Sequence, residues 1–456
     1  GLTATGTTPG GVPVFTLTVT ATGSYVFQQL AALDHPNTSN PDDVLGLGFG
    51  YTVTDSDGDS ASSTLTINVR DDGPLAGDAS NTVDETGGFD TVSGTVALGY
   101  GVDGKGSVTI TGLPVNLTSG GVEITNAMSA DGLTITGMAG NVPVYTFTLN
   151  PATGQYTFTQ LAQLDHPNAG DNNESLSLGF SFTVTDGDGD TASGTVTVIV
   201  RDDGPTAGNA TNVVDETGGF DSVSGNVGVS YGADGKGSVV FGNLPAGLTA
   251  HGVAVTNNVS ADGLTITGVA GDKPVYTLTF NPATGAYTFT QLAALDHPNA
   301  SDPNDALVLN FGFKVTDADG DSANGNIGIT VLDDGPTAGS VAIDNVHAGD
   351  PAYTGTVPFT YGADGAGQIV LTSAGDGPLG MTGLTSGGKI ITVTLTGTGA
   401  IGKLADGTVA FELTLSPNGV YTYKQNLKID GNPDLKFGYT VGDADGDKAK
   451  GTITVD

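Results

Sequence analysis

The sequence repeats itself at the length of a whole domain. The motif Asp-x-Asp-Gly-Asp begins at Asp55, Asp186 and Asp317, at intervals of 131 residues, and once more at Asp443, 126 residues later. Such a period is too long for one turn of a solenoid and is typical of a domain. The 456 residues are also more than one hydrophobic core usually serves. The sequence therefore predicts a tandem array of similar domains.

A second repeated element, Asp-Asp-Gly-Pro, marks the expected domain boundaries at 71–74, 202–205 and 333–336. It predicts four segments, which we call repeat 1 (1–72), repeat 2 (73–203), repeat 3 (204–334) and repeat 4 (335–456). Gly1-Leu2-Thr3 corresponds to Gly132-Leu133-Thr134, so repeat 1 is expected to be the C-terminal part of a truncated repeat. Repeat 4 is divergent and ends without another Asp-Asp-Gly-Pro. The first repeat is therefore expected to be cut from a longer array, and whether the C-terminus is also a cut is left open by the sequence.

Short alternating runs between Gly, Asn and Asp turns predict an all-β fold in which helix is nearly absent. In repeat 2 we expect strands near 91–99, 107–111, 121–126, 132–137, 143–150, 155–160, 176–185 and 194–200. Seven or eight short antiparallel strands favour an immunoglobulin-like or cadherin-like β-sandwich, with the repeats joined end to end by short rigid linkers. The clearest hairpin runs from Tyr145 to Phe158, with its turn at Asn150–Gly154.

The charge balance excludes several function classes. Thirteen Lys and Arg against 49 Asp and Glu give a formal charge of -36, which repels nucleic acid and anionic membrane surfaces. Without cysteine, disulfides, zinc–thiolate sites and cysteine nucleophiles are impossible. Because no run of about eighteen apolar residues occurs, we expect no direct membrane insertion.

The Asp-x-Asp-Gly-Asp turns are candidate cation sites. Carboxylates at alternate positions can converge on one ion while glycine permits the sharp turn, as in the first half of an EF-hand loop, although the downstream Glu of an EF-hand is missing. Oxygen ligands without His or Cys favour calcium. The alternative is an Asp-Gly hairpin turn with spare charge. The candidate ligands are Asp55, Asp57, Asp59, Asp186, Asp188, Asp190, Asp317, Asp319, Asp321, Asp443, Asp445 and Asp447.

The boundary element predicts a second site, where acids at the end of one repeat and the start of the next hold an ion that stiffens the linker. The alternative is an ordinary polar linker stiffened by proline. In repeat 4 the acidic pair at the start becomes Asp344-Asn345, one charge poorer, so weaker binding is expected there. The candidate ligands are Asp71, Asp72, Asp84, Glu85, Asp202, Asp203, Asp215, Glu216, Asp333, Asp334 and Asp344.

Two further recurring motifs contain residues that could take part in chemistry. The glycine-rich loop that begins at Tyr100 and recurs at Tyr231 and Tyr361 has no helix behind it, so a structural turn is favoured over a phosphate loop. Its acids, Asp103, Asp234 and Asp364, are additional candidate ligands.

Leu-Asp-His-Pro, at 33–36, 164–167 and 295–298, contains a pair that could polarise a nucleophile. No recurring serine lies in a Gly-x-Ser-x-Gly context, so a loop-fixing role is favoured. Carboxylates on one contiguous turn also do not form the cleft of a glycosidase. We therefore expect no enzyme activity.

Together these motifs resemble the extender repeats of giant RTX adhesins, which bacteria export by type I secretion. The resemblance lies in Leu-Asp-His-Pro, Thr-Asp-x-Asp-Gly-Asp-x-Ala and Asp-Asp-Gly-Pro, and it is looser in repeat 4. It implies a calcium-stiffened stalk at the bacterial cell surface that projects a terminal binding domain in biofilm formation or attachment. It also implies calcium within and between domains, which supports the turn acids and the Asp-Asp pairs as ligands. The RTX nonapeptide tandem Gly-Gly-x-Gly-x-Asp is not present in this sequence.

The expected mechanism couples calcium to folding, because neutralised carboxylates lock turns and linkers that otherwise repel one another. The expected partners are calcium ions and neighbouring repeats of the same chain, with lateral self-association open. The alternative function is a repeat that itself binds glycan or self-associates in cell–cell adhesion. The absence of tryptophan weakens the glycan version.

Overall fold

The computed structural model describes residues 1–168, 170–299, 302–374 and 381–456, and within them every regular element is a β-strand. The chain divides into two compact units. Unit 1 comprises Gly1–Pro205, Tyr231–Gly237 and Thr316–Ser322; unit 2 comprises Thr206–Ser230, Ser238–Val315 and Ala323–Asp456. The all-β expectation is confirmed. No helix that could cross a membrane is present in the described ranges.

Repeats 1 and 2 supply the first seventeen strands. They are Leu2–Thr7 (β1), Pro13–Val19 (β2), Tyr25–Gln29 (β3), Val44–Thr54 (β4), Ser60–Arg70 (β5), Leu75–Ala76 (β6), Ala79–Asp84 (β7), Thr91–Thr95 (β8), Leu98–Gly99 (β9), Lys105–Gly112 (β10), Thr118–Ser119 (β11), Val122–Met128 (β12), Thr134–Ala139 (β13), Val142–Leu149 (β14), Gln155–Gln160 (β15), Ser175–Asp186 (β16) and Thr191–Arg201 (β17).

Repeat 2 is a sandwich of two sheets. One sheet has the order β10-β16-β17-β7 and the other β11-β12-β13-β14-β15-β8. Residues of β16 alternate between buried and half-buried, as a strand with one face on a core requires. Phe180 of β16 stacks on Phe147 of β14 with ring centroids 4.1 Å apart, which joins the inner faces of the sheets. In repeat 1 the sheets are β1-β2-β3 and β4-β5.

The predicted strands of repeat 2 are all present, but the longer strand β7 and the two-residue strands β6 and β11 were not predicted. The predicted strands pair antiparallel with one another, whereas the unpredicted β7 pairs in parallel with β17, Ala79 opposite Val196 and Asp84 opposite Arg201. The segment Ala79–Asp84 lies at the edge of its sheet, so it is polar and buries only Val83 fully. A polar sequence of this kind resembles a linker more than a strand. The predicted hairpin is confirmed as β14–β15, with Phe147 opposite Phe158.

Repeats 3 and 4 supply the remaining strands. They are Thr206–Ala207 (β18), Asn209–Asp215 (β19), Ser222–Asn226 (β20), Val229–Ser230 (β21), Lys236–Phe241 (β22), Thr249–Ala250 (β23), Val253–Val259 (β24), Thr265–Ala270 (β25), Lys273–Phe280 (β26), Ala286–Gln291 (β27), Ala306–Asp317 (β28), Ser322–Leu332 (β29), Thr337–Ala338 (β30), Ser340–Ile343 (β31), Tyr353–Thr356 (β32), Phe359–Thr360 (β33), Ala366–Ala374 (β34), Thr385–Ser386 (β35), Lys389–Ile390 (β36), Thr392–Thr396 (β37), Gly399–Lys403 (β38), Val409–Leu415 (β39), Val420–Gln425 (β40), Leu435–Asp443 (β41) and Lys448–Val455 (β42).

The sheet orders of repeat 2 recur in the later repeats. Repeat 3 has β19-β29-β28-β22 and β20-β27-β26-β25-β24-β23, and repeat 4 has β31-β42-β41-β34 and β32-β40-β39-β38-β37. In repeat 4 the core brings together Phe411, Tyr423 and Phe437, whose ring centroids lie 6.0–6.2 Å apart. The long hairpins β16–β17, β28–β29 and β41–β42 each end in an Asp-x-Asp-Gly-Asp turn, so the sandwich sets where these acids lie.

A glycine beneath an aromatic ring offers a test of this packing. A Cβ at Gly137 would lie 2.4 Å from the ring of Tyr145, which is fully buried and donates its hydroxyl to Asn126 Oδ1 at 2.5 Å. We expect Gly137→Ala to lower the free energy of unfolding by about 1–3 kcal/mol, since the anchored ring has little room to move. Gly179→Ala is the matched control, because its Cβ meets nothing closer than 3.9 Å. Urea unfolding of both variants measures the difference; equal effects would contradict the packing argument.

Candidate metal centres

The first Asp of each Asp-x-Asp-Gly-Asp turn closes the turn. Oδ1 of Asp186 accepts hydrogen bonds from the backbone N–H groups of Gly189 (3.1 Å) and Asp190 (2.8 Å). Gly189 has φ +110°, a conformation that glycine adopts without strain. Asp55 makes the same pair of bonds in repeat 1. Oδ2 of Asp186 is buried and has no hydrogen-bond partner among the described residues.

In repeats 2, 3 and 4 the middle Asp of the turn reaches the preceding repeat. Oδ2 of Asp188 accepts the backbone N–H of His35 at 2.9 Å. Asp319 does the same for His166 at 3.1 Å, and Asp445 for His297 at 3.1 Å. Each of these three turns therefore lies against the Leu-Asp-His-Pro loop of the repeat before it, in contacts that span about 150 residues of sequence.

These contacts bring the turn acids and the boundary acids into shared clusters. Ligand oxygens of Asp71, Asp188 and Asp190 lie within 4.8 Å of one another. We name the clusters by the repeats that they join. Joint 1 contains Asp71, Asp103, Asp186, Asp188 and Asp190; joint 2 contains Glu85, Asp202, Asp234, Asp317, Asp319 and Asp321; joint 3 contains Glu216, Asp333, Asp364, Asp443, Asp445 and Asp447. Joints 1 and 2 belong to unit 1, and joint 3 belongs to unit 2.

The glycine-rich loop delivers one more acid to each joint. A Cβ at Gly232, whose φ is +67°, would lie 1.6 Å from the carbonyl oxygen of Asp203, so the loop packs directly on the end of the preceding repeat. This approach buries Asp234, whose two carboxylate oxygens have no partner in the described part of the chain. Asp364 is placed in the same way in joint 3. The loop is a structural turn, and its Asp lies among the other candidate ligands.

Buried carboxylate oxygens without hydrogen-bond partners are the main chemical feature of the joints. Burying an unpaired carboxylate is costly, and native proteins leave few such groups unsatisfied. Within the described residues, buried carboxylate oxygens lack a hydrogen-bond partner in Asp71, Glu85, Asp186, Asp188, Asp190, Asp202, Glu216, Asp234, Asp296, Asp317, Asp319, Asp321, Asp333, Asp364, Asp443, Asp445 and Asp447. Converging free oxygens of this kind fit a divalent cation that takes six to eight oxygen ligands.

The electrostatics of the joints follow from this crowding. Burial, followed by the neighbouring carboxylate of Asp321, raises the pKa of Asp202 to about 9. Burial and Asp447 raise the pKa of Asp333 to about 9 in the same way. Burial and Asp319 raise the pKa of Asp234 to about 8. Without a cation, these groups resist ionisation because each is desolvated and faces like charge.

The acidic pairs at the start of repeats 2 and 3 contribute their Glu and not their Asp. Glu85 is fully buried, and burial raises its pKa to about 7. A ligand atom of Glu85 lies within 4.8 Å of one each from His166 and Asp202, so Glu85 groups with the far end of its own repeat and not with Asp71. Asp84 instead accepts the backbone N–H of Thr86 at 2.9 Å, and Asp215 does the same for Thr217 at 2.8 Å.

The remaining candidates lie outside the buried clusters. Asp55, Asp57 and Asp59 form a group of their own, but all three are exposed. Asp72 and Asp344 are exposed, and Asp203 and Asp334 are half-buried. Sequence reasoning missed the histidines: His35 groups with Asp43 and Asp71, and His166 and His297 take the same position in joints 2 and 3. The recurrence of His in Leu-Asp-His-Pro at the 131-residue interval was the available signal.

The Asp of Leu-Asp-His-Pro holds a loop. Asp165 accepts the backbone N–H groups of Gly120 (2.6 Å) and Gly121 (2.8 Å). In repeat 4, which lacks this motif, Asp430 does the same for Gly387 and Gly388 at 3.1 and 2.8 Å. The carboxylate is therefore engaged by backbone donors and does not orient the adjacent histidine.

Comparison with known proteins places this architecture in a family. A family model described as a domain of unknown function (DUF5801) matches residues 1–68, 70–199 and 200–330. The chain belongs to the DUF5801 family. The three matched segments correspond to repeats 1, 2 and 3 with their acidic turns, so joints 1 and 2 are contacts between successive DUF5801 domains. No curated protein matches the sequence.

Solved structures similar to this DUF5801 chain are cadherin ectodomain segments. Mouse cadherin-23 EC22-24 is 15% identical, with 85% of this chain and 99% of that chain covered and a TM-score of 0.30. PcdhgB3 EC1-4 is 13% identical, with 97% and 88% covered and a TM-score of 0.29. Drosophila N-cadherin EC1-4 is 12% identical, with 96% and 88% covered and a TM-score of 0.21.

The raised pKa values predict an unusual pH dependence for the metal-free protein. Unfolded Asp has a pKa of about 3.9, so native Asp202 and Asp234 hold protons that the unfolded chain releases. Their contribution to stability is full below about pH 4 and is lost as pH rises through about 8–9. We expect the urea midpoint of chelator-treated protein to fall between pH 5 and pH 9. A midpoint that stays level or rises over this range would contradict the crowding of these acids.

The contact between the glycine-rich loop and the preceding repeat predicts a large loss of stability on substitution of Gly232 and a smaller loss on substitution of Gly235. Gly232→Ala places a methyl group on the Asp203 carbonyl, whereas a Cβ at Gly235, whose φ is +82°, meets nothing within 4 Å. Both variants carry about 1–2 kcal/mol of left-handed backbone strain, but only Gly232→Ala adds the clash. We expect its thermal midpoint to fall clearly further than that of Gly235→Ala. Equal midpoints would show that the loop does not pack on the preceding repeat.

Proposed function

We propose that this chain is a calcium-stiffened extender segment of a large bacterial cell-surface adhesin. One observation carries the proposal: buried, unpartnered carboxylate oxygens from the end of one repeat and the turns of the next converge at each joint. Asp202 with Asp234 and Asp321 is the clearest case. A ligand set made of carboxylate oxygens favours calcium over transition metals.

The ligand distribution supports a structural role for the ion. When bound, calcium supplies positive charge that neutralises the facing carboxylates. The Asp202 side of joint 2 ends the hairpin β16–β17, and the Asp317–Asp321 side is the turn of β28–β29. Acids from two domains are thereby tied to one another, and without the ion the same acids repel across the contact. Stiffness of the linker then depends on extracellular calcium.

The cellular location that we propose is consistent with calcium binding. The resemblance of its motifs to RTX adhesin extender repeats supports export by type I secretion, an extracellular position on the bacterial surface and a part in biofilm formation or attachment. A formal charge of -36 would be offset by calcium outside the cell. We propose a role without catalysis, which is supported by the engagement of Asp165 with backbone N–H groups.

The test compares calcium with chelator in thermal unfolding and small-angle scattering. With calcium we expect a higher midpoint, and with EDTA a lower midpoint and a scattering curve that indicates flexible joints. The variant Asp202→Asn gives a sharper test, because its effect on the thermal midpoint should differ between calcium and EDTA. It removes a ligand and so lowers the calcium-bound midpoint, but it also relieves repulsion and so leaves the EDTA midpoint equal to or above that of wild type.

The matched control is Asp272→Asn, which makes the same charge change at an exposed position and should shift neither midpoint appreciably. If EDTA changes neither stability nor scattering, the calcium-stiffening proposal is wrong. Binding of glycan or of a second copy of the chain would then be the function to pursue, by glycan array and sedimentation.

A further inference from the structure

The imidazole of His166 is oriented toward carboxylates rather than toward donors. Its Nδ1 lies 3.7 Å from Oδ1 of Asp202, and both side chains are fully shielded from solvent. Its Nε2 lies 3.4 Å from the carbonyl oxygen of Val200. Since a carbonyl can only accept, Nε2 carries the proton in this contact. In the neutral ring, Nδ1 then presents a lone pair to a carboxylate, and it has no hydrogen-bond partner among the described residues.

Glu85 presents a second free ligand atom at the same place. Its Oε1 accepts the backbone N–H of Leu164 at 3.0 Å and the side-chain amide of Gln160. These two donors hold the carboxylate, while Oε2 is buried and without a partner in the described part of the chain. Ligand atoms of Glu85, His166 and Asp202 all lie within 4.8 Å of one another. Carboxylate oxygens of Glu85 and Asp202 and the nitrogen lone pair of His166 therefore lie close together in a buried site.

We propose that Glu85, His166 and Asp202 form a second kind of metal site, which binds a first-row transition-metal dication such as Zn²⁺ or Co²⁺. Imidazole nitrogen suits these metals, whereas calcium takes oxygen. The bond from Nε2–H to a backbone carbonyl is the usual way in which a metal-bound histidine is oriented. Both oxygens of Asp202 lack partners, so one is available here and the other to the oxygen-only cluster with Asp234 and Asp321.

Repeat 3 shows why the proposal is confined to His166. There Nδ1 of His297 lies 2.6 Å from Oδ1 of Asp305, eight residues further on. The corresponding residue of repeat 2 is Glu174, which accepts the backbone N–H of Asn168 at 2.8 Å just as Asp305 accepts that of Asn299 at 3.1 Å. Among the described residues, however, Nδ1 of His166 has no hydrogen-bond partner. This difference of one methylene leaves Nδ1 of His166 facing the metal-ligand group.

The test is Co²⁺ titration of the full chain in saturating calcium, followed by visible absorption, with Zn²⁺ competition. We expect one tightly bound equivalent that His166→Gln removes, with an affinity loss of at least about 100-fold, more than the loss of an outer partner costs. His347→Gln is the control, because that side chain is 78% exposed, and it should retain the site. Nitrogen NMR of the imidazole should show Zn²⁺ shifting Nδ1 of His166.

A second variant keeps the histidine in place and guards against misfolding. Glu174→Asp copies repeat 3, so the shorter acid should engage Nδ1 and weaken Co²⁺ binding while circular dichroism stays unchanged. The proposal is overturned if calcium-loaded wild type binds no Co²⁺, if His166→Gln retains the full uptake, or if NMR shows a doubly protonated ring that Zn²⁺ leaves unchanged. The calcium-dependent thermal midpoint of the same samples separates these results from a failure of calcium stiffening.

Discussion

Burial of like charge at the ends of the repeats is the constraint on which the rest of the structure depends. Joint 2 places Asp202, Asp234 and Asp321 together, away from solvent and without hydrogen-bond donors for their oxygens. Few arrangements in proteins are less favourable when nothing compensates the charge. The contact between repeats is therefore conditional: its carboxylates must hold protons or share cations. A domain boundary built in this way can respond to its surroundings.

The acids at a joint have different structural roles. The first Asp of the turn closes the hairpin with one oxygen and offers the other, and the middle Asp fastens the turn to the preceding repeat through a histidine N–H. The glycine-rich loop adds a buried Asp because its backbone approaches the Asp203 carbonyl more closely than any side chain permits. Glu85 is held by Gln160 and the Leu164 N–H. The first and middle Asp of the turn and Glu85 thus have one hydrogen-bonded oxygen and one free oxygen, whereas both oxygens of Asp202 and Asp234 are free within the described residues.

The histidines give the joints a chemistry that differs between repeats. His166 and His297 occupy equivalent places, yet Asp305 takes the Nδ1 of His297 while Glu174 leaves that of His166 free. The proposed transition-metal site implies that a repeat array can vary its metal preference at single joints without altering the sandwich. The change needed is one methylene in a loop residue that makes no direct contribution to the core.

Sequence alone determined the features that depend on local period and spacing. Alternation in Ser175–Asp186 indicated a half-buried strand, the Asn150–Gly154 turn set the register of Phe147 with Phe158, and the 131-residue interval indicated tandem domains. It also gave every acid of the three joints as a candidate ligand. Strand β7 was not predicted from the sequence, because Ala79–Asp84 buries a single large residue and its pairing partner lies more than 100 residues away.

Tertiary structure decided which acids meet. The sequence suggested that each turn holds its own ion and that Asp71 pairs with Glu85, whereas the turn acids Asp188 and Asp190 lie with Asp71 of the preceding repeat. Glu85 lies with Asp202 at the far end of its own repeat. Side-chain spacing along a strand says nothing about which strand ends are brought together by packing of the sheets. The site is therefore a property of the contact between sandwiches and not of any one motif.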